Sequence, residues 1–251
     1  VTASPKKPGK ERLDVLIVER GLAPSRERAQ ALLMAGQIRV DGQPAGKAGT
    51  RVSTEAQVEV IGGTLRYASR GGLKLEGALE DFALDPTGKI CLDVGSSTGG
   101  FTDCLLQRGA ARVHAVDVTI DQLAWKLRQD ARVHTIERNA RHLAAADIGE
   151  QVDLVVVDVS FISVAKVLPA VVAAAGPSAE YLILVKPQFE LEKRAVGKGG
   201  IVKDEAARQR AVDQVRAAAS ALRLQLLGER PSRVRGTEGN QEFFLHARRN
   251  A

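Results

Sequence analysis

The sequence predicts an α/β protein built on a doubly wound, mostly parallel sheet of seven strands, preceded by a small α+β domain. Three observations carry that expectation. Strand-like and helix-like segments alternate from about residue 72 to the C-terminus. Several strands are unbroken apolar runs, such as Leu154-Val155-Val156-Val157 and Leu182-Ile183-Leu184-Val185, as parallel strands covered on both faces require. A glycine-rich turn, Gly95-Ser96-Ser97-Thr98-Gly99-Gly100, joins the first of these strands to a helix.

Composition narrows the class. With 44% apolar and 26% charged residues but only 4% aromatic ones, the 251 residues can bury a large aliphatic core, which excludes general disorder and collagen-like repeats. The formal charge of +6 is unevenly spread: residues 1–74 hold 13 basic and 7 acidic side chains, and the remainder holds 23 of each. Cys91 and Cys104 have no Cys-x-x-Cys or His companion, so they read as buried hydrophobes in a reducing compartment, and no metal site is expected. The longest apolar stretch, Val164 to Ala175, is interrupted by Lys166 and Pro169 and is too short to span a bilayer. The chain starts at Val1 without an initiating Met, so a trimmed or tagged start is expected, and no signal-peptide core follows it. A cytoplasmic protein without a membrane partner is expected.

The elements follow in order. Residues 1–10, rich in Pro, Lys and Gly, are expected to be a disordered tail. Residues 11–62 form the small domain. Leu13, Leu16 and Ile17 have helical spacing and stop at Gly21. A second helix is capped by Ser25, turns Ala29, Leu32 and Leu33 inward and ends at Gly36. Ile38-Arg39-Val40-Asp41-Gly42-Gln43 reads as a hairpin, and Val52, Val58 and Val60 continue its sheet. Gly62-Gly63 marks a boundary, residues 63–71 a linker, and residues 72–251 the large domain. There the pattern places strands near 89–94, 112–117, 132–136, 153–158, 180–186, 222–230 and 241–248, the last two as an edge hairpin. Helices are expected over 73–82, 99–108, 121–129, 162–174 and 204–221.

The first strand and its turn are the signature of a nucleotide-type cofactor. Gly95, Ser97, Thr98, Gly99, Gly100 and Phe101 surround a turn whose backbone can approach a ligand, and the next helix offers free N–H groups. Asp117 ends the second strand about twenty residues on, where a carboxylate accepts ribose hydroxyls. This fits a dinucleotide or S-adenosylmethionine, with a purely structural turn as the bland reading. The G-x-x-x-G-G spacing, and Asp93 before it, favour the cationic sulfonium cofactor over a pyrophosphate. Asn139 after the third strand is either an adenine contact or a cap.

Asp158 and Lys186 end the fourth and fifth strands, at the carboxyl edge beside the cofactor, where an ion pair is costly to bury and therefore points to chemistry. Glu242, polar within a strand of aromatics, and Lys74, on the helix before the first strand, are the further candidates. After the fourth strand stands Val157-Asp158-Val159-Ser160-Phe161 in place of the Asp/Asn-Pro-Pro-aromatic run that holds an exocyclic amine, which disfavours N-methylation of a base.

Two resemblances extend this reading. Arg12-Leu13-Asp14, Gly21-Leu22, Ser25-Arg26, Ala29, Gly36-Gln37-Ile38 and Val40-Asp41-Gly42 resemble the S4-type (alpha-L) RNA-binding domain. Arg12, Arg26, Arg28, Arg39, Lys47 and Arg51, with Arg70 beyond the boundary, then become RNA-contact candidates, against the alternative of a solvated basic face. Ser69-Arg70-Gly71-Gly72-Leu73-Lys74-Leu75, Thr98-Gly99-Gly100-Phe101-Thr102-Asp103-Cys104-Leu105, Gln122-Leu123-Ala124-Trp125-Lys126-Leu127-Arg128 and Lys186-Pro187-Gln188-Phe189-Glu190 resemble the TlyA family of bacterial ribosomal RNA methyltransferases, some of which are called haemolysins. The resemblance implies a Rossmann-like class I methyltransferase fold of FtsJ type, S-adenosyl-L-methionine as cofactor and ribosomal RNA or ribosomal subunits as partner. It also implies ribose 2′-hydroxyls of cytidine as target, through a Lys-Asp-Lys-Glu set at Lys74, Asp158, Lys186 and Glu242. Lys186 is the expected proton acceptor, oriented by Asp158, because a lysine tuned by its neighbours can serve as a base. The chain departs from the family at Val118-Thr119-Ile120-Asp121-Gln122, where glycines flanking an aromatic are usual, and is one residue shorter near Glu137-Arg138-Asn139. The competing readings are a non-catalytic RNA-binding assembly factor and a membrane-active haemolysin.

Overall fold

The computed structural model describes residues 9–23, 25–45, 47–61, 66–236 and 239–249. The chain separates into two compact units, residues 1–66 and 67–251.

In the smaller unit the elements are β1 (Lys10–Arg12), α1 (Leu13–Glu19), α2 (Arg26–Met34), β2 (Ile38–Val40), β3 (Gln43–Pro44), β4 (Arg51–Ser53) and β5 (Val58–Val60). The two helices bury Leu13, Leu16, Ile17, Ala29, Leu32 and Leu33 against Ile38 and Val58. Ser25 Oγ accepts from Arg28 N at 3.2 Å and caps α2. Asp41 and Gly42 have φ of 50° and 77°, the left-handed pair that a type I′ hairpin demands between β2 and β3. Two expectations are corrected. Val52 does not continue that sheet, because β4 pairs with β1 in a separate two-stranded sheet, Arg12 opposite Arg51. Lys10, expected in a disordered tail, lies in β1, where pairing with β4 satisfies its extended backbone. Residues 1–8 of that tail, and Gly62-Gly63, lie outside the described residues.

The larger unit runs α3 (Gly71–Asp81), β6 (Ile90–Val94), α4 (Gly100–Gln107), β7 (Arg112–Asp117), α5 (Trp125–Arg128), β8 (Val133–Glu137), α6 (Ala145–Ile148), β9 (Leu154–Val157), α7 (Leu168–Ala175), β10 (Glu180–Val185), α8 (Pro187–Glu190), α9 (Glu205–Ala221), β11 (Leu224–Pro231) and β12 (Phe243–Arg249). They form one seven-stranded sheet in the order β11-β12-β10-β9-β6-β7-β8. Strands β6 to β10 are parallel, and β12 runs antiparallel to both β10 and β11. Alternate strand residues feed two cores. Leu92, Val94, Val155, Val157 and Ile183 meet Val171, Val212 and Val215 from α7 and α9. Cys91, Val113, Val156 and Leu182 meet Leu75, Leu79 and Leu105 from α3 and α4 on the other face. This is the doubly wound architecture, and its crevice opens where β6 sends β7 to one side and β9 to the other.

Three elements differ from the pattern reading. The helix expected over 121–129 is a single turn, α5, and that expected over 162–174 breaks into a 3-10 turn at Val164–Lys166 and α7, because Pro169 suits only a first helical turn. Helix α3 starts at Gly71 rather than Leu73, and Tyr67 to Gly71, expected as linker, belong to the larger unit. Gly72 is required there, since a Cβ would overlap the ring of buried Tyr67.

Candidate active site

The sheet brings the polar residues to one edge. Asp158 follows β9 and Lys186 follows β10; β12 enters antiparallel with Phe243 opposite Val185, which sets Glu242 beside Lys186. Lys186 Nζ is ion-paired with Asp158 Oδ1 and donates to Ser160 Oγ at 2.8 Å. Lys74, from the first turn of α3, donates to Glu242 Oε2 at 2.6 Å, with side chains 11% and 2% exposed. Around Glu242 the loop after β11 is tightly folded: Ser232 N donates to its carbonyl at 2.7 Å, and a Cβ at Gly236 would stand 2.5 Å from Oε1. The four candidates of the sequence thus form two lysine–carboxylate pairs at the carboxyl edge.

Beside them lies a cavity of about 450 Å³, lined among others by Gly95, Ser97, Asp117, Asn139, Asp158 and Phe161. Gly95 has φ +89°, and a Cβ there would overlap the carbonyl oxygen of Asp158, so the floor of the cleft exists only with glycine. Asp117 Oδ2 accepts from Ser97 N at 2.8 Å and Oδ1 from Val118 N at 2.7 Å, which fixes the carboxylate at the end of β7. Asn139 caps the turn that follows β8, its Oδ1 accepting from Arg141 N at 3.1 Å, and it also lines the cavity.

Other cofactor candidates stand elsewhere. Asp93 is buried below the turn; Oδ2 accepts from Thr102 Oγ1 at 2.6 Å, while Oδ1 has no hydrogen-bond partner among the described residues. Burial pushes its carboxyl up to about 7. Thr98 is exposed, and it, Gly99, Gly100 and Phe101 do not line the cavity. Gly99 (φ +93°) makes room for Leu123 and Leu127, Gly100 for Ser69 and the backbone of Gly72, and the Phe101 ring stacks 6.3 Å from Phe244. These residues shape the turn from behind. The hydrogen-bond network and the cleft-facing glycine suit S-adenosylmethionine.

Several residues that shape the site escaped the sequence reading. Ser160 holds Lys186, and Thr102 holds Asp93. Phe161 is 92% exposed at φ +66°, its ring 5.4 Å from that of Phe189. Glu190 ties the segment after Phe161 to α8: it accepts from Ser163 Oγ at 2.5 Å and Val164 N at 2.8 Å, and burial raises its carboxyl pKa. Each sat inside a quoted motif without a periodicity signal of its own.

The basic candidates divide. Arg28, Arg39, Lys47 and Arg51 are exposed on the smaller unit, Arg12 and Arg26 are ion-paired with Asp14, and Arg70 is half-buried ahead of α3 in the larger unit. Among the described residues no His/Cys/Asp/Glu group is arranged to hold a metal, and no helix is long and apolar enough to cross a membrane.

Fold and cleft define an S-adenosylmethionine-dependent methyltransferase. Residues 67–249 match the FtsJ-like methyltransferase family, and residues 11–58 match the S4 domain. Over 239 residues the chain is 50% identical to the 16S/23S rRNA (cytidine-2′-O)-methyltransferase TlyA of Mycobacterium tuberculosis, spanning 94% of this chain and 89% of that one. It is 37% identical to Hemolysin A of Brachyspira hyodysenteriae, spanning 94% and 98%. A solved hemolysin-type structure from Streptococcus thermophilus superposes with a TM-score of 0.76 at 39% identity, covering 97% of this chain and 90% of that one. The chain belongs to the TlyA family of FtsJ-like methyltransferases.

Proposed function

We propose that this protein methylates the ribose 2′-hydroxyl of cytidine in ribosomal RNA of the small subunit, the large subunit or both. The observation that carries the reading is the pair of lysine–carboxylate contacts, Lys186–Asp158 and Lys74–Glu242, at the carboxyl edge of the sheet, with Asp158 lining the cleft. The nucleotide class follows the M. tuberculosis relative at 50% identity, whose name gives 16S/23S rRNA cytidine 2′-O-methylation. S-adenosylmethionine supplies an electrophilic methyl group, held along Gly95, Ser97, Asp117 and Asn139. The residues of the chain have two tasks: to remove a proton from a poorly acidic hydroxyl and to align its oxygen for in-line attack. Lys186 Nζ accepts the hydroxyl proton after passing one of its own to its ion-pair partner Asp158, which with Ser160 fixes its position; the Lys74–Glu242 pair holds the ribose or its phosphate. The exposed ring of Phe161 at the cavity rim offers a stacking face for the nucleobase. Domain roles follow the sequence division, with the S4-type domain docking RNA through its exposed cations. This work belongs to the cytoplasm, where ribosomes are made.

The test is methylation of ribosomal RNA transcripts and isolated subunits by purified protein, with 2′-O-methyl sites mapped on the product. Ribose methylation at cytidine that disappears in Lys186→Ala is expected. Base methylation, or wild-type rates from Lys186→Ala, would sink the reading.

A further inference from the structure

The smaller unit contains a buried carboxylate that methyl transfer does not use. Asp14, in the first turn of α1, is 0% exposed, although an aspartate is rarely buried without partners. Five hydrogen bonds reach its carboxylate. Oδ1 accepts from Arg12 Nε at 3.0 Å and Oδ2 from Arg12 Nη2 at 2.9 Å, a fork-on-fork pair. Oδ2 also accepts from Arg26 Nη2 and from Gln30 Nε2, both at 3.0 Å, and Oδ1 from Val15 N at 3.1 Å. These bonds, the Arg12 fork first, hold the Asp14 carboxyl well below the usual carboxylate range.

One anion therefore gathers two cations from different elements, the end of β1 and the start of α2. Two guanidinium groups share the one buried carboxylate, while the surface acids Glu11 and Glu27 stand near Arg12 and Arg26 respectively. The arginine side chains remain 43% and 52% exposed, and Arg12 Nη1 and Arg26 Nε and Nη1 make no hydrogen bond among the described residues. A buried acid that served only to neutralise charge needs one arginine; this one leaves two guanidinium groups fixed side by side with donors facing water. Free arginine side chains lose much rotamer freedom when a ligand immobilises them, whereas here that entropy is lost on folding. On the reading that this unit docks RNA, we infer that Asp14 is a positioning residue that preforms Arg12 and Arg26 into a two-guanidinium receptor for an RNA phosphate.

The test separates geometry from charge. Full-length variants are titrated into fluorescein-labelled ribosomal RNA transcript, with anisotropy read across a salt series and circular dichroism confirming the fold. Arg12→Lys keeps the charge and loses the fork; Asp14→Asn removes a negative charge near the RNA. Electrostatics alone predicts unchanged binding for the first and tighter binding for the second. Positioning predicts that both bind about tenfold more weakly, with calorimetric affinity for S-adenosylmethionine unchanged. Should Asp14→Asn not fold, Arg12→Lys decides. Wild-type or tighter binding by a folded Arg12→Lys protein overturns the role of Asp14. A third protein, Arg12→Ala/Arg26→Ala, tells the two failures apart: if it too binds as wild type, RNA does not dock on this face at all; if it alone is weakened, the charges matter and their positioning does not.

Discussion

The Lys74–Glu242 pair permits a stability experiment whose outcome bears on why it exists. Glu242 is 2% exposed and Lys74 11% exposed, with 2.6 Å between Nζ and Oε2. Breaking a buried pair from one side leaves an uncompensated charge and costs about 3–5 kcal/mol, whereas replacing both partners with apolar groups of similar volume is close to neutral. Lys74→Met strands the more deeply buried member, so about 4 kcal/mol is expected. Glu242→Gln leaves the lysine, whose partial exposure lets water reach the ammonium, so about 3 kcal/mol or less is expected on the same basis. The double variant Lys74→Met/Glu242→Leu should lie within about 1–2 kcal/mol of wild type. Urea unfolding with linear extrapolation measures all three. Circular dichroism follows the chain, and the fluorescence of Trp125, the single tryptophan, follows the larger unit. All three proteins should be inactive in RNA methylation, and the double variant should be inactive while stable. Single substitutions that each cost less than about 1 kcal/mol, or a double variant that loses the sum of both, would refute the reasoning that the pair is a strongly coupled unit retained for chemistry.

Three further outcomes are expected. Gly95→Ala forces a Cβ into the Asp158 carbonyl at a backbone φ of +89°, so calorimetric cofactor binding should be abolished and the thermal midpoint lowered. Asp93 has its folded pKa raised to about 7. The folded state therefore keeps a proton that the unfolded state releases near pH 4, and stability falls as pH rises from about 4 to about 7, then levels. Asp93→Asn should remove that decline, up to a few kcal/mol across the window; parallel pH profiles of unfolding free energy for the two proteins would contradict it. Glu190→Ala frees the segment that carries Phe161, so RNA methylation should drop about tenfold or more with cofactor affinity intact, and Glu190→Gln, which keeps an acceptor for Val164 N and a donor for Ser163 Oγ, should restore most of it.

What the sequence disclosed and what it hid have physical reasons. Asp158 and Lys186 were legible because unbroken apolar runs announce parallel strands, and parallel strands deliver their C-terminal residues to one edge. The partnership of Glu242 with Lys74 was not, because it depends on β12 inserting between β10 and β11, a choice of strand order that no local pattern encodes. The glycine-rich turn lies where the pattern puts it, between β6 and α4. Glycine spacing reports that something approaches the backbone closely, and at Gly99 and Gly100 that something is leucine side chains and the start of α3. Asp93 was read as facing a sulfonium, yet its fixed place one residue inside β6 turns it toward Thr102. Asp14 gave no signal of burial, since a charged residue in an amphipathic pattern is counted with the solvent face unless its partners are known.

The uneven charge of the sequence acquires a structural meaning from these carboxylates. In the larger unit Asp158 and Glu242 each hold one lysine, and the lysine side chains are only 10% and 11% exposed. Such pairs are nearly neutral from outside and act on whatever enters the cleft, with little screening by salt. In the smaller unit Asp14 holds two arginines that remain about half exposed, and Arg28, Arg39, Lys47 and Arg51 are exposed in the same unit. Those charges act on a polyanion at a distance and are screened readily. RNA affinity should therefore fall steeply with salt, by a slope that decreases by roughly 0.7–0.9 for each phosphate-contacting cation removed from the smaller unit. The single-turnover rate at saturating RNA should hardly change over the same salt range. A rate that falls in step with affinity would mean that the cations also act in the chemical step.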